Sequence, residues 1–355
     1  MTEENHPDIQ GTSCPLPLSH QEQIVIGHGS GGKMTSRLIE ETFLPAFDNG
    51  IIRKGDDAGV IDLHPSMRIA VSTDSHVVSP LFFPGGDIGK LAICGTVNDV
   101  AVMGAAPLYL TAGFILEEGL PMETLQRVVA SMKAAAEEAG IQIIAGDTKV
   151  VQHGHGDGIY INTTGIGLIP EGIDISGSNA REGDLVILSG TIGDHGMAVL
   201  AARNELGFDV EIKSDTAPLN RLIQEMMNVS SNIHVLRDPT RGGVASTLNE
   251  IAVQSNCCIV LDETTIPVKP QVNAICEILG FDPLFVANEG KVLAIVTRED
   301  GERLLETMHK NPYGKDAVII GEIRKSPERR VLMRTAIGGT RIVDTLTGEM
   351  LPRIC

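Results

Sequence analysis

Tryptophan is missing from the 355 residues and aromatics make up only 3%, so any core must be aliphatic, built on Val, Ile, Leu and Ala. Positive charge is scarce as well. Lys plus Arg number 28 against 46 for Asp plus Glu, a formal net charge of −18. That balance disfavours sequence-independent binding to nucleic acid or to an anionic membrane, and an anionic substrate would need local help. Long apolar runs are lacking too. The uncharged stretch 100–116 falls short of a membrane span and is interrupted by Gly104 and Pro107, so it reads as the end of a buried helix, a turn and a buried strand. The six cysteines have no zinc-finger spacing, and a chain of this length needs no disulfide staples, which points to a reduced, cytoplasmic protein. The opening MTEENHPDIQGTSCP is acidic and has no apolar centre, unlike a secretory signal.

What is present is chain length and glycine. At roughly 150 residues per domain the length suggests about two domains, and 39 glycines announce many turns or close backbone approaches. Residues 1–22 read as a mobile arm without apolar periodicity. From Ile24 short β-branched runs alternate with helix-period segments: RIAVSTD, 87–103, LYLTAGFIL, 121–139, IQIIAGD and INTTGIGLI. The clearest helix opens at Pro121, carries the stripe Leu125, Val128, Val129 and Met132, and stops at Gly140. The turn-rich PEGIDISGSNAREGD separates a first domain, 23–170, from a second, 180–343. The expected class is α/β, with helices layered on twisted sheets. Residues 344–355 read as an extended tail ending in Cys355; at ~3.3 Å per residue such a tail can reach ~40 Å.

Several motifs carry chemistry. GHGSGGK (27–33) fits the dinucleotide and triphosphatase glycine patterns at once. It lacks the hydroxyl residue the second requires, since Met34 follows Lys33, and no strand with a terminal acid follows as the first requires. Gly29, Gly31, Gly32 and Lys33 still suit a phosphate, through free backbone N–H groups. Helix openings at GDHG, with Asp194 and His195, and at DPTRGG, with Arg241 and Gly242, offer further positive ends. Asp56, Asp57, Asp74 and Asp99 lie in or beside apolar elements. Buried carboxylates need partners, and magnesium prefers carboxylates together with substrate phosphates, so the set is expected to hold Mg²⁺ with a nucleotide. GDTKVV ends a buried strand with Asp147 and Lys149, where α/β sheets often hold ligands, the other reading being an edge-strand lysine that points to water; Asn98, Asp147 and Thr148 are counted in the expected nucleotide-binding set. HGHGDG (153–158) reads as a hairpin tip rather than a transition-metal site. Cys257 and Cys258 read as core, and Cys14 has nothing nearby to activate it.

HGSGG, STDSHVVSPLFFPGGDIGKLAICGTVNDVAVMGA, GFILEEGLPMETL, AGDTKVV, GDHG, RDPTRGGV, ANEGK and the terminal PRIC are long and specific. On these, from about Ile24 to Cys355, the chain resembles the HypE carbamoyl dehydratases, hydrogenase maturation factors within the ATP-binding enzymes typified by aminoimidazole ribonucleotide (AIR) synthetase, the PurM-like fold. The resemblance implies a homodimer whose amino-terminal domains pair through a β-barrel, with ATP bound near that interface. It implies that a carbamoyltransferase, HypF, loads Cys355, and that the S-carbamoyl group is dehydrated to a thiocyanate as ATP is split to ADP and phosphate. The cyanide then passes to iron on the HypC–HypD scaffold. The resemblance further implies that Mg²⁺ is held on Asp57, Asp74, Asp99 and Asp238. It also implies that Lys149 and Glu289 flank the carbamoyl group, Glu289 as the candidate base and Lys149 as the stabiliser of developing charge, the two roles being open to exchange. Selenophosphate synthetases and thiamine-phosphate kinases share the fold, but neither has a use for a terminal cysteine.

Overall fold

The computed structural model describes residues 24–64, 67–203 and 211–345. The arm 1–22 with Cys14, and the last ten residues of the tail with Cys355, lie outside the described residues.

The first half is built on a five-stranded sheet in the order β1-β2-β7-β5-β6. A glycine loop leads into the short helices α1 (Lys33–Leu38) and α2 (Leu44–Phe47), joined by one π-turn. Then follow β1 (Gly59–His64), β2 (Met67–His76), a two-residue ribbon β3 (Phe82–Phe83) and β4 (Gly86–Asp87), and helix α3 (Ile88–Val102). The half closes with β5 (Ala106–Glu117), α4 (Met122–Ala139), β6 (Gln142–Val151) and β7 (Ile159–Ile169). The Asp87 carboxylate caps α3 by accepting from the N–H groups of Gly89 and Lys90, which satisfies orphan donors at the helix start.

Helix α3 lies unusually close to the sheet because β7 presents glycines to it. A Cβ at Gly167 would meet Val100 at 2.5 Å, and one at Gly165 would meet Thr96 at 2.8 Å. Leu91, Val97, Leu110, Val128, Met132, Ile159 and Ile161 fill the space between α3, α4 and the sheet. Among the described residues nothing covers the opposite face, where Tyr109, Ile115 and Leu168 are exposed.

Three readings of the sequence change here. Pro107 does not break the chain; it sits inside β5 at a register shift against β7, as Pro in strands does at bulges. The strand it belongs to is buried on one side only, and β6, expected to be a buried strand, is an edge strand with Gln142–Val150 exposed throughout. HGHGDG is no hairpin tip, because β5 lies between β6 and β7. The loop instead crosses the end of β5, where the Glu117 carboxylate accepts from the N–H groups of Gly154 at 2.6 Å and Gly158 at 2.9 Å. Those bonds hold the Glu117 carboxyl below its usual range.

The second half is a seven-stranded sheet, β14-β13-β10-β12-β8-β11-β9, antiparallel except for the β10–β13 pair. Its elements run β8 (Leu185–Leu188), α5 (Asp194–Ala202), α6 (Asn220–Val229), β9 (Ile233–Arg237) and α7 (Gly243–Gln254). They continue with β10 (Cys258–Asp262), α8 (Pro270–Leu279), β11 (Leu293–Val296), α9 (Arg298–Met308), β12 (Val318–Arg324), β13 (Arg330–Arg334) and β14 (Thr340–Val343). Successive residues of β8 feed opposite layers. Val186 and Leu188 pack with Val244, Leu248 and Ile251 of α7, while Leu185 and Ile187 pack with Leu222 and Met226 of α6 and Leu304 of α9. Ala101 and Val102, from α3 of the first half, belong to that second layer. Among the described residues no helix is long and apolar enough to cross a membrane.

Candidate functional site

Between the halves lies a cavity of about 630 Å³, walled by Gly31, Asp57, Asp74, Asp99, Asp238, Arg241 and Glu289 among others, a size usual for small-molecule sites. Each acid comes from a different element. Asp57 precedes β1, Asp74 is on β2, Asp99 is on α3, Asp238 follows β9, and Glu289 is in the loop before β11. All four carboxylates expected to bind metal are therefore gathered on one space, with Glu289.

The glycine motifs meet here too. Gly31 and Gly242 both have positive φ, +74° and +78°, and a Cβ at Gly31 would stand 2.8 Å from the Arg241 carbonyl. Arg241 donates to the Gly29 carbonyl at 3.1 Å. The glycine loop and the start of α7, two sets of backbone N–H groups, thus form a continuous rim.

Electrostatically the site is an acidic cluster with too few partners. Burial pushes Asp99 well above the carboxylate range, and Asp238, Asp74 and Asp57 add to that by repulsion, against one bond accepted from Ser72 at 2.6 Å. Burial, with the nearby Asp57, lifts Asp238 to about 8. Glu289 is likewise raised well above its usual value by burial, then by Asp74, Asp238 and Asp215. Asp57 is raised by burial although Arg237 pairs with it. Among the described residues, Asp57 and Asp238 each keep one buried oxygen without a hydrogen-bond partner. Burial drives His76, 3.6 Å from Asp74, toward its neutral form.

Other expected site residues sit elsewhere. Lys149 is exposed on edge strand β6, paired with Asp147 at 2.6 Å, and Thr148 lies between them on the same exposed strand. Strands β5 and β7 separate them from β2, about 14 Å at the usual strand spacing. Asp194 is buried against Lys269 at 2.7 Å, and His195 bonds Ser214 at 2.9 Å with its ring edge-on to Phe83. The GDHG segment supports the site from behind, since the Gly193 N–H donates to Asn288, the neighbour of Glu289, at 2.8 Å. Asn98 is buried away from the cavity and bonds the backbone of Ala217 and Leu219. Lys33 reaches Asp344 at 3.1 Å, and Gly32 caps α1.

Sequence reading passed over Arg237, which binds Asp57, the Gly55 carbonyl and Gln254 from inside the cavity wall. Its position beside Asp238 in RDPTRGG was the available signal. Among the described residues no three His, Cys, Asp or Glu side chains stand close enough to hold a metal by themselves. An ion bound here would take part of its coordination from a ligand. A donor set of oxygen alone, with two orphaned buried carboxylate oxygens, suits Mg²⁺ shared with phosphate.

Residues 55–169 match the model of AIR synthase related protein, N-terminal domain, and 181–334 that of the C-terminal domain. The carbamoyl dehydratase HypE of Cupriavidus necator is 55% identical over 345 residues, covering 97% of this chain and 98% of that protein. A solved HypE–HypF complex is similar with a TM-score of 0.83 at 55% identity, covering 87% of this chain and 99% of its counterpart. A HypE solved in complex with ATP gives 0.79 at 49% identity, with 92% and 98% covered.

Proposed function

Because this chain belongs to the HypE carbamoyl dehydratases, within the AIR synthase related proteins, we propose that it performs its ATP-dependent dehydration on an S-carbamoyl group carried by its own Cys355, making the thiocyanate that supplies cyanide to hydrogenase iron. The observation that carries this reading is the root of the tail. Asp344 pairs with Lys33 of the glycine loop at 3.1 Å, and the Val343 carbonyl accepts from Asn249 of α7 at 3.0 Å. The tail therefore departs from the cavity rim, and the eleven residues after Asp344, at ~3.3 Å each, can span ~36 Å. That reach includes the cavity.

An amide oxygen leaves poorly until it is phosphorylated. The carbamoyl oxygen attacks the γ-phosphorus and the bond to ADP breaks. Two protons then leave the nitrogen, the C–O bond breaks with departure of phosphate, and S–C≡N remains. In our reading the rim N–H groups and Arg241 bind the phosphates, and Glu289 takes protons from the nitrogen. Its raised pKa suits a base that must both accept and release them. Asp57, Asp74, Asp99 and Asp238 would hold Mg²⁺, which neutralises phosphate charge when bound. Asn98 and the GDHG pair Asp194 and His195 support the site from outside the cavity.

Lys149 reaches Glu289 only if another chain brings it there. The uncovered apolar face of the first sheet and its bare edge strand support pairing of two copies through 23–170, which would set β6 of one beside the cavity of the other. We place residues 180–343 as the second domain and 344–355 as the substrate-bearing tail. HypF docks and loads Cys355, as the solved HypE–HypF complex of a relative suggests, and HypC–HypD receives the cyanide; all of this takes place in the cytoplasm.

The test is intact mass of protein carbamoylated at Cys355, before and after Mg-ATP. Loss of ~18 Da on the final peptide, one water, is expected. An unchanged mass, or full ATP turnover on a free carbamoyl compound by Cys355→Ala, refutes the scheme.

A further inference from the structure

Two groups outside the cavity grip the backbone of Glu289 from opposite sides. On one side the Asp215 carboxylate accepts from the Glu289 N–H at 3.1 Å, and its other oxygen faces the Lys291 ammonium at 3.1 Å. Both side chains are nearly buried, 2% and 12% exposed. The fit allows no side chain between them, since a Cβ on Gly290 would stand 1.9 Å from the Asp215 carbonyl. On the other side Asn98 donates to the Ala217 carbonyl at 3.1 Å and to the Glu289 carbonyl at 3.5 Å. Its own carbonyl accepts from the Leu219 N–H at 2.8 Å.

Stability does not explain this arrangement. A buried ion pair is commonly no better than apolar side chains of the same volume, and Asn98 puts a polar side chain into helix α3 beside Val97, Val100 and Ala101, which are buried core residues. What the groups share is Glu289. Asn98 also precedes Asp99 on α3, so the contact that holds the Glu289 loop is made by the helix that delivers a cavity acid. We propose that Asp215 and Asn98 are positioning residues of the dehydration, fixing the Glu289 carboxyl group relative to Asp99 and the bound nucleotide. The inference rests on Glu289 being the proton acceptor.

Single-turnover rates on full-length protein carbamoylated at Cys355, over a range of Mg-ATP, test it. D215N/K291M keeps an acceptor for the Glu289 N–H and leaves no unpaired charge, so its rate stays within about threefold of the parent. D215L/K291M has nearly the same shape but no acceptor. Its rate falls roughly tenfold to a hundredfold, the cost of a small misplacement, while the Mg-ATP concentration for half-maximal rate is unchanged. On the Glu289→Gln background the same pair adds no further loss, because both changes act through one group. Equal rates for the two double variants overturn the inference, as does an additive loss on that background. If D215L/K291M does not fold, Asn98→Ala, which leaves the ion pair intact, takes its place, and a parental rate for it is equally fatal. A parental rate for Glu289→Gln alone instead removes the base on which the inference depends.

Discussion

Asp238→Asn removes one carboxylate from the crowded cavity without changing its volume. Burial, with the charge of Asp57 beside it, pushes Asp238 up to about 8, against a usual value of 3.8. Between those values the folded state holds a proton that the unfolded chain has released, so stability must fall as pH rises through the window. The slope is up to about 1.4 kcal/mol per pH unit for one such group, or roughly 4 kcal/mol from pH 5 to pH 8. Asp99 and Glu289, raised in the same direction, steepen the fall. Carboxylates held low, such as Asp215 and Asp300, are ionised in both states above pH 5 and contribute no slope. His76, lowered by burial, works the other way below its unfolded value, so the difference between variant and parent is the clean quantity. Thermal melts at pH 5, 6, 7 and 8 read it. At about 2 °C per kcal/mol the parent loses several degrees over this range. Asp238→Asn loses less, melts higher than the parent at pH 8, and gains less from Mg-ATP. Parallel curves for the two proteins would show that the cluster carries no such strain.

Arg237→Met leaves Asp57 buried without its partner and should cost about 3–5 kcal/mol in denaturant melts; a loss below 1 kcal/mol would mean that Asp57 ionises less than its pairing implies. Gly242→Ala forces a side chain onto a backbone at φ +78° and against Ser246 at 2.2 Å. It should lower stability by more than about 1 kcal/mol and raise the Mg-ATP concentration for half-maximal rate, both read from melts and rates of one preparation. Mixing Lys149→Met with Glu289→Gln protein tests whether the two residues meet across a pair of chains: mixed dimers recover turnover absent from either alone, and no recovery after verified subunit exchange places Lys149 outside the reaction or within its own chain's site.

The acids were legible because a carboxylate beside Val97, Val100 and Ala101 has few reasons to exist other than a ligand or a partner. The order of elements was legible from periodicity, and the two glycine motifs from backbone chemistry. The surroundings of Lys149 stayed open between a buried strand and an edge strand. A run such as IQIIAGDTKVV is apolar whether its strand is central or at an edge, and only the strand order decides. Sequence spacing likewise hides Arg237 against Asp57, which are 180 residues apart, and the grip of Asp215 on Glu289. KSDTAP carries no pattern at all. Asn98 was singled out, but a polar residue on an apolar helix face signals only that it has a partner, not that the partner is a backbone loop rather than a nucleotide.

The last turn of α3 has a consequence for how the molecule comes apart. Ala101 and Val102 are packed among Ile187 of the second sheet and Leu219 and Leu222 at the start of α6, so the peptide segment 170–184 marks a change of sheet but no seam in the hydrophobic packing. Severing the chain there would strip each piece of contacts the other supplies. The two halves are accordingly expected to melt in a single cooperative step, and neither piece expressed alone should reproduce the behaviour of the whole.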